Sequence, residues 1–153
     1  MDIELIYGII KIVLIATTPL VFAGIGELVT EKSGVLNLGV EGMMLVGAVT
    51  AFVTLVITNS YILAFTFSIL SGVILSSLFA FLVLILMSNQ VATGLALTIF
   101  GIGLSSMIGK NYIGTPIEGL SPWFFVIFSF AIVFFISYFF YKTKAGLILR
   151  AVG

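Results

Sequence analysis

The sequence predicts an all-α, polytopic bundle of transmembrane helices with about five membrane segments, and three observations carry that prediction. The chain is 61% hydrophobic and only 8% charged, with a mean hydropathy of +1.37. A soluble domain carries roughly 25% charged residues. No charged residue stands between Glu41 and Lys110, and none between Glu118 and Lys142. A span takes about 20 apolar residues, so the first interval holds about three spans and the second holds one. Runs such as ILAFTFSILSGVILSSLFAFLVLILM are apolar on every side. Strands of a membrane barrel would alternate over about ten residues, so helices are the solution left.

Polar punctuation cuts out the segments in order. The first runs from about Leu5 to Val29 and contains Lys11 and Pro19. The second is about Val35 to Ile57, closed by Thr58, Asn59 and Ser60. A broken or re-entrant piece at its start is the alternative to a plain span. Tyr61 to Met87 is the third, closed by Ser88, Asn89 and Gln90. The fourth runs from Val91 to about Gly109, and the loop KNYIGTPIEGLSP leads to the fifth, Trp123 to Tyr141. Gly94, Gly101, Gly103 and Gly109 give the fourth segment a surface for close helix packing, or for lining a path. A cleaved signal peptide is not expected, because Asp2 and Glu4 replace a basic leader.

Lys142, Lys144 and Arg150 follow the fifth segment closely, which predicts a cytoplasmic C-terminal end. Counting back puts residues 110–121 outside and residues 30–34 inside. The chain has no cysteine, which allows a clean test. In intact cells an impermeant maleimide should label Thr115→Cys and spare Thr143→Cys. Labelling of position 143 alone would reverse the orientation.

The same composition removes most chemistry. Without cysteine or histidine there is no disulfide, thiol nucleophile or imidazole base, and no zinc site is expected. Net charge is zero, which argues against nucleic acid as a partner. GLSSMIGKN (103–111) imitates a phosphate-binding loop, but Asn111 stands where Ser or Thr is required. GIGLSS and GIGELV lack the third glycine of a dinucleotide fingerprint. No catalytic residue is expected.

The segment GELVTEKSGVLNLGVEGMMLVGA (26–48) is different in kind. It sets Gly34, Asn37, Gly39, Glu41 and Gly42 at the mouth of the second span. Residues four apart share a helix face, so Asn37 and Glu41 are expected to form one polar unit inside the protein. That unit would hold the start of the second helix while the glycines let a neighbour approach. Snorkelling of Glu41 to water is the plainer alternative.

SGVLNLGVEGMMLVGA (33–48) resembles the N-terminal signature of ATP-binding-cassette (ABC) importer permeases of the branched-chain amino acid and simple-sugar type, and most of all their nucleoside and simple-sugar subgroup. NQVATGLALTIFGIGLSS (89–106) and YKTKAGLILRAVG (141–153) agree, in the same order. The resemblance implies a membrane subunit in the cytoplasmic (inner) membrane of a prokaryote that performs no chemistry and binds no cofactor. ATP would be hydrolysed on a separate ATPase subunit, a second permease subunit would complete the pore, and an extracytoplasmic substrate-binding lipoprotein would deliver a nucleoside-like or simple-sugar solute. Gln90 and Thr98 become candidates for the translocation path, although relatives often carry Asn at the position of Thr98. Lys144, Gly146 and Arg150 would lie on the approach to the ATPase-docking loop. Relatives continue beyond LRAVG, so residues 1–153 read as the N-terminal part of a single permease domain. An ion-coupled secondary transporter and a non-transporting membrane scaffold are the alternatives. The first should show ionisable residues in mid-membrane and an inverted repeat; only Lys11 and Glu41 lie within spans, and no convincing repeat is present.

Overall fold

A computed structural model describes residues 3–152, so Asp2 of the acidic N-terminal end lies outside the described residues. Six α-helices follow in order: α1 (Ile3–Glu31), α2 (Val40–Thr58), α3 (Tyr61–Ala80), α4 (Gln90–Gly109), α5 (Pro122–Lys142) and α6 (Lys144–Val152). A π-helical turn, Phe81–Ile85, prolongs α3, and a 3-10 turn, Lys110–Tyr112, prolongs α4. Five of these segments are long and apolar enough to cross a membrane: Ile3–Glu31, Val40–Thr58, Tyr61–Ile85, Gln90–Tyr112 and Pro122–Lys142. The all-α prediction holds, with no strand among the described residues. Two compact units make up the chain, Met1–Val35 with Glu118–Gly153 and Leu36–Ile117.

In the first unit α1 packs against α5. Phe22 meets Phe128 at 6.0 Å between ring centroids, and Phe128 stacks on Phe124 at 6.1 Å. Pro19 lies inside α1 and has no N–H for the carbonyl one turn back. Thr17 and Thr18 keep their hydroxyls bonded inside the helix, donating to the carbonyls of Val13 and Leu14 at 2.8 Å each. Such local satisfaction is what lipid demands. The helix stops at Gly34, whose φ of 80° suits a residue without Cβ. Gly34 N–H donates to Glu31 O at 2.9 Å and Val35 N–H to Thr30 O at 3.1 Å, the paired bonds of a Schellman cap.

At the far end of α5, Thr143 is extended, with φ −112° and ψ 150°. Its hydroxyl accepts from Gly146 N–H at 3.1 Å and so caps α6. A Cβ on Gly146 would collide with the carbonyl of Phe139 and the Cα of Phe140, so α6 folds back tightly on α5. Sequence reading put only a short apolar run here; the Thr143 cap starts a helix, and Gly146 lets that helix lie against α5. Arg150 lies over the Tyr141 ring, 5.0 Å from its centroid.

The second unit is α2, α3 and α4. Asn59, with φ 51°, ends α2, and Ser60 opens α3. Along α2 and α3, Thr50 and Ser71 share a hydrogen bond of 3.0 Å, and Ser68 donates to the Gly47 carbonyl at 2.9 Å. Small polar side chains thus tie two apolar helices, and the hydroxyls of Thr50, Ser68 and Ser71 are all bonded. Ser88 donates to Leu82 O at 2.7 Å and exchanges a bond with Thr93 at 2.9 Å, fixing the turn from the π segment into α4.

The candidate site: an interrupted start to the second span

The second predicted segment is the one that departs from a plain helix. α2 begins at Val40, not at Val35. Leu36–Gly39 instead runs non-helically along α4, and α4 side chains and glycines receive it. The Leu36 N–H donates to Gln90 Oε1 at 2.8 Å, and the Leu38 carbonyl accepts from Thr98 Oγ1 at 2.8 Å. Between these two bonds a Cβ on Gly94 would lie 2.8 Å from the Leu38 nitrogen. Beyond them, a Cβ on Gly101 would come within 2.5 Å of both the Cα and the carbonyl oxygen of Gly42. The reciprocal substitution at Gly42 would meet Leu97 O at 2.6 Å. Irregular backbone inside a membrane needs its N–H and C=O groups satisfied by protein, and Gln90 and Thr98 do this for the Leu36 N–H and the Leu38 carbonyl.

Asn37 and Glu41 do not share a helix face. Asn37 precedes α2, is only 6% exposed, and accepts the Gly39 N–H on its Oδ1 at 2.9 Å. This turn, an Asn accepting from the residue two ahead, competes with helix and delays its start. Asn37 Nδ2 faces Met43 Sδ at 3.8 Å. Glu41 stands in the first turn of α2 and is exposed, on a stripe shared with Leu45 and Ala48. Spacing alone suggested a pair; the late helix start separates them.

Depth makes Glu41 unusual. Its neighbour Gly42 lies against Gly101, about 16 Å along α4 from Gln90 at about 1.5 Å per residue. Gly101 is the midpoint of the spanning segment Gln90–Tyr112. The carboxylate therefore lies level with the middle of α4 rather than with its end. An exposed acid there, facing lipid, costs on the order of 2.5–3.5 kcal/mol by analogy with aspartate on insertion scales. Its place in the first turn of a helix returns about 0.3–1 kcal/mol through the helix dipole. The penalty is larger than the gain, so a carboxylate at that depth favours water or protein over hydrocarbon.

The remaining candidates divide. Gly39, Gly42, Gly94 and Gly101 meet in the α2–α4 contact, whereas Gly103 is exposed with nothing within 4 Å of its would-be Cβ. Gly34 ends α1 in the other unit. Lys144, Gly146 and Arg150 all lie on α6. Sequence reading missed the Thr50–Ser71 and Ser68–Gly47 ties; their signal was small polar residues recurring within apolar helices.

Five apolar helices long enough to cross a membrane, the second of them interrupted at its start, are the build of a multi-pass membrane protein. The chain belongs to the family described as branched-chain amino acid transport system / permease component, which it matches over residues 9–153. It is 44% identical over 120 residues to a putative glucose ABC transporter permease protein, TsgC13, of Haloferax volcanii, covering 78% of this chain and 36% of that protein. It is 25% identical to the guanosine ABC transporter permease protein NupQ of Bacillus subtilis, covering 100% of this chain and 58% of the relative. The nucleoside ABC transporter permease protein NupC of Lactococcus lactis is 27% identical, with 95% and 55% covered. The chain thus spans between about a third and three fifths of the length of these relatives. No solved structure matches it. It is a multi-pass integral protein of the cytoplasmic membrane.

Proposed function

We propose that this chain forms part of the permease subunit of an ABC importer for a neutral, hydroxyl-rich solute of the nucleoside or simple-sugar class. The observation that carries the reading is Glu41, held level with the middle of α4 on an exposed stripe by a loop that α4 clamps. In this reading Asn37, Gln90 and Thr98 build the wall of the path, and Glu41 faces into it. The names of the relatives support the solute class. Lys144, Gly146 and Arg150 on α6 would approach the ATPase subunit, with a second permease subunit and an extracytoplasmic receptor completing the importer. Motion follows if the ATPase binds one packing of the helices better than another.

The test is uptake by the full-length subunit reconstituted with its ATPase and second permease in liposomes. Labelled guanosine or glucose, presented with the receptor, should accumulate only with ATP on the ATPase side, and ionophores should leave uptake unchanged. Uptake that collapses with the ion gradient would instead establish the secondary-transporter reading. Absence of any uptake of either solute would refute the solute class.

A further inference from the structure

We propose that the first unit carries a binding site for an anionic phospholipid, in a groove of about 260 Å³ between α1 and the α5–α6 corner. Its walls are apolar, with Leu28 from α1 and Ile136 and Phe140 from α5. Two cations, Lys32 and Arg150, also line it, as do the hydroxyl-bearing Ser137 and Tyr141. Among the described residues, no carboxylate lines it.

Depth and charge together select the occupant. Lys32 lies just beyond the end of α1 and Arg150 on α6, both beyond the spanning segments, where headgroups reside. Leu28 is one turn deeper along α1, about 6 Å towards the hydrocarbon. A ligand fitting both parts has an anionic head and an apolar tail, which a free phosphate or a soluble peptide lacks. Basic pockets between membrane helices on the cytoplasmic side take such headgroups, and the lysine and arginine placement puts this end there. Arg150 is already oriented by the Tyr141 ring, 5.0 Å from its centroid, and a guanidinium offers a planar, two-pronged match to phosphate. Lys142 and Lys144 serve topology as well, but neither lines the groove.

The experiment is native mass spectrometry of the full-length protein released from nanodiscs of equal phosphatidylglycerol and phosphatidylcholine. Phosphatidylglycerol should be retained at least tenfold over phosphatidylcholine. The double variant Lys32→Gln, Arg150→Gln should abolish that preference, and Lys110→Gln, outside the groove, should keep it. Leu28→Trp, which fills the groove and leaves both cations, should also displace the lipid and decides the matter if the double variant does not fold. Equal retention of the two lipids, or a preference that survives either groove variant, would overturn the site. Displacement of the lipid by millimolar inorganic phosphate alone would show a headgroup contact without an acyl groove, and that too refutes it.

Discussion

Gly101→Val is expected to prevent stable folding of the second unit, while Gly103→Val, on the same helix, is expected to be tolerated. At Gly101 even a Cβ would be 2.5 Å from the Gly42 Cα and carbonyl. Those are backbone atoms that cannot swing aside as a side chain does. Overpacking costs typically about 1–3 kcal/mol when neighbours can shift, and two crossing backbones shift only by separating α2 from α4. Gly103 has nothing within 4 Å and is exposed, so its added methyls meet no neighbour in the chain. Thermal unfolding of the full-length protein in detergent separates the two. A Gly101→Val protein as stable as wild type would mean that the Gly42–Gly101 crossing is absent.

Asn37 and Glu41 should fail in opposite ways, although spacing would have paired them. Asn37→Ala removes the acceptor for a buried Gly39 N–H, and leaving a buried donor unpaired costs about 1–3 kcal/mol. Its signature is a lowered unfolding temperature with a matching loss of assembled importer. Glu41→Gln keeps shape and exposure and removes only charge, so stability should hold while solute uptake falls at least tenfold. Equal destabilisation by both variants would restore the single polar unit that the sequence suggests.

The comparison of these two residues shows what the sequence made legible. Charge-free intervals and unbroken apolar runs placed five spans within a few residues, because hydrocarbon tolerates little else. The break before α2 was visible as an alternative, from glycine and asparagine where a helix should already have begun. What spacing could not supply was the partner. Gln90 and Thr98 are path candidates by resemblance, but spacing gives no sign that their side chains hold the backbone of Leu36 and Leu38. Those contacts link residues 54 and 60 positions apart, beyond any periodicity. Glycines at 42, 94 and 101 were recognised as packing residues from type alone, while Gly103 fits the same pattern and packs against nothing. A helical repeat cannot tell which face a neighbour will choose.

The central claim is that α2 begins inside the membrane with Glu41 turned to an aqueous path. Its most direct test is cysteine accessibility in a cysteine-free version of the full-length importer. Glu41→Cys is compared with Ile69→Cys, which replaces a residue 64% exposed on α3. A water-soluble, impermeant methanethiosulfonate is applied with and without ATP. The expected result is modification at position 41 in at least one of the two conditions, slowed by saturating solute, and none at position 69. A thiol at position 41 as unreactive as that at position 69 in both conditions would contradict the account.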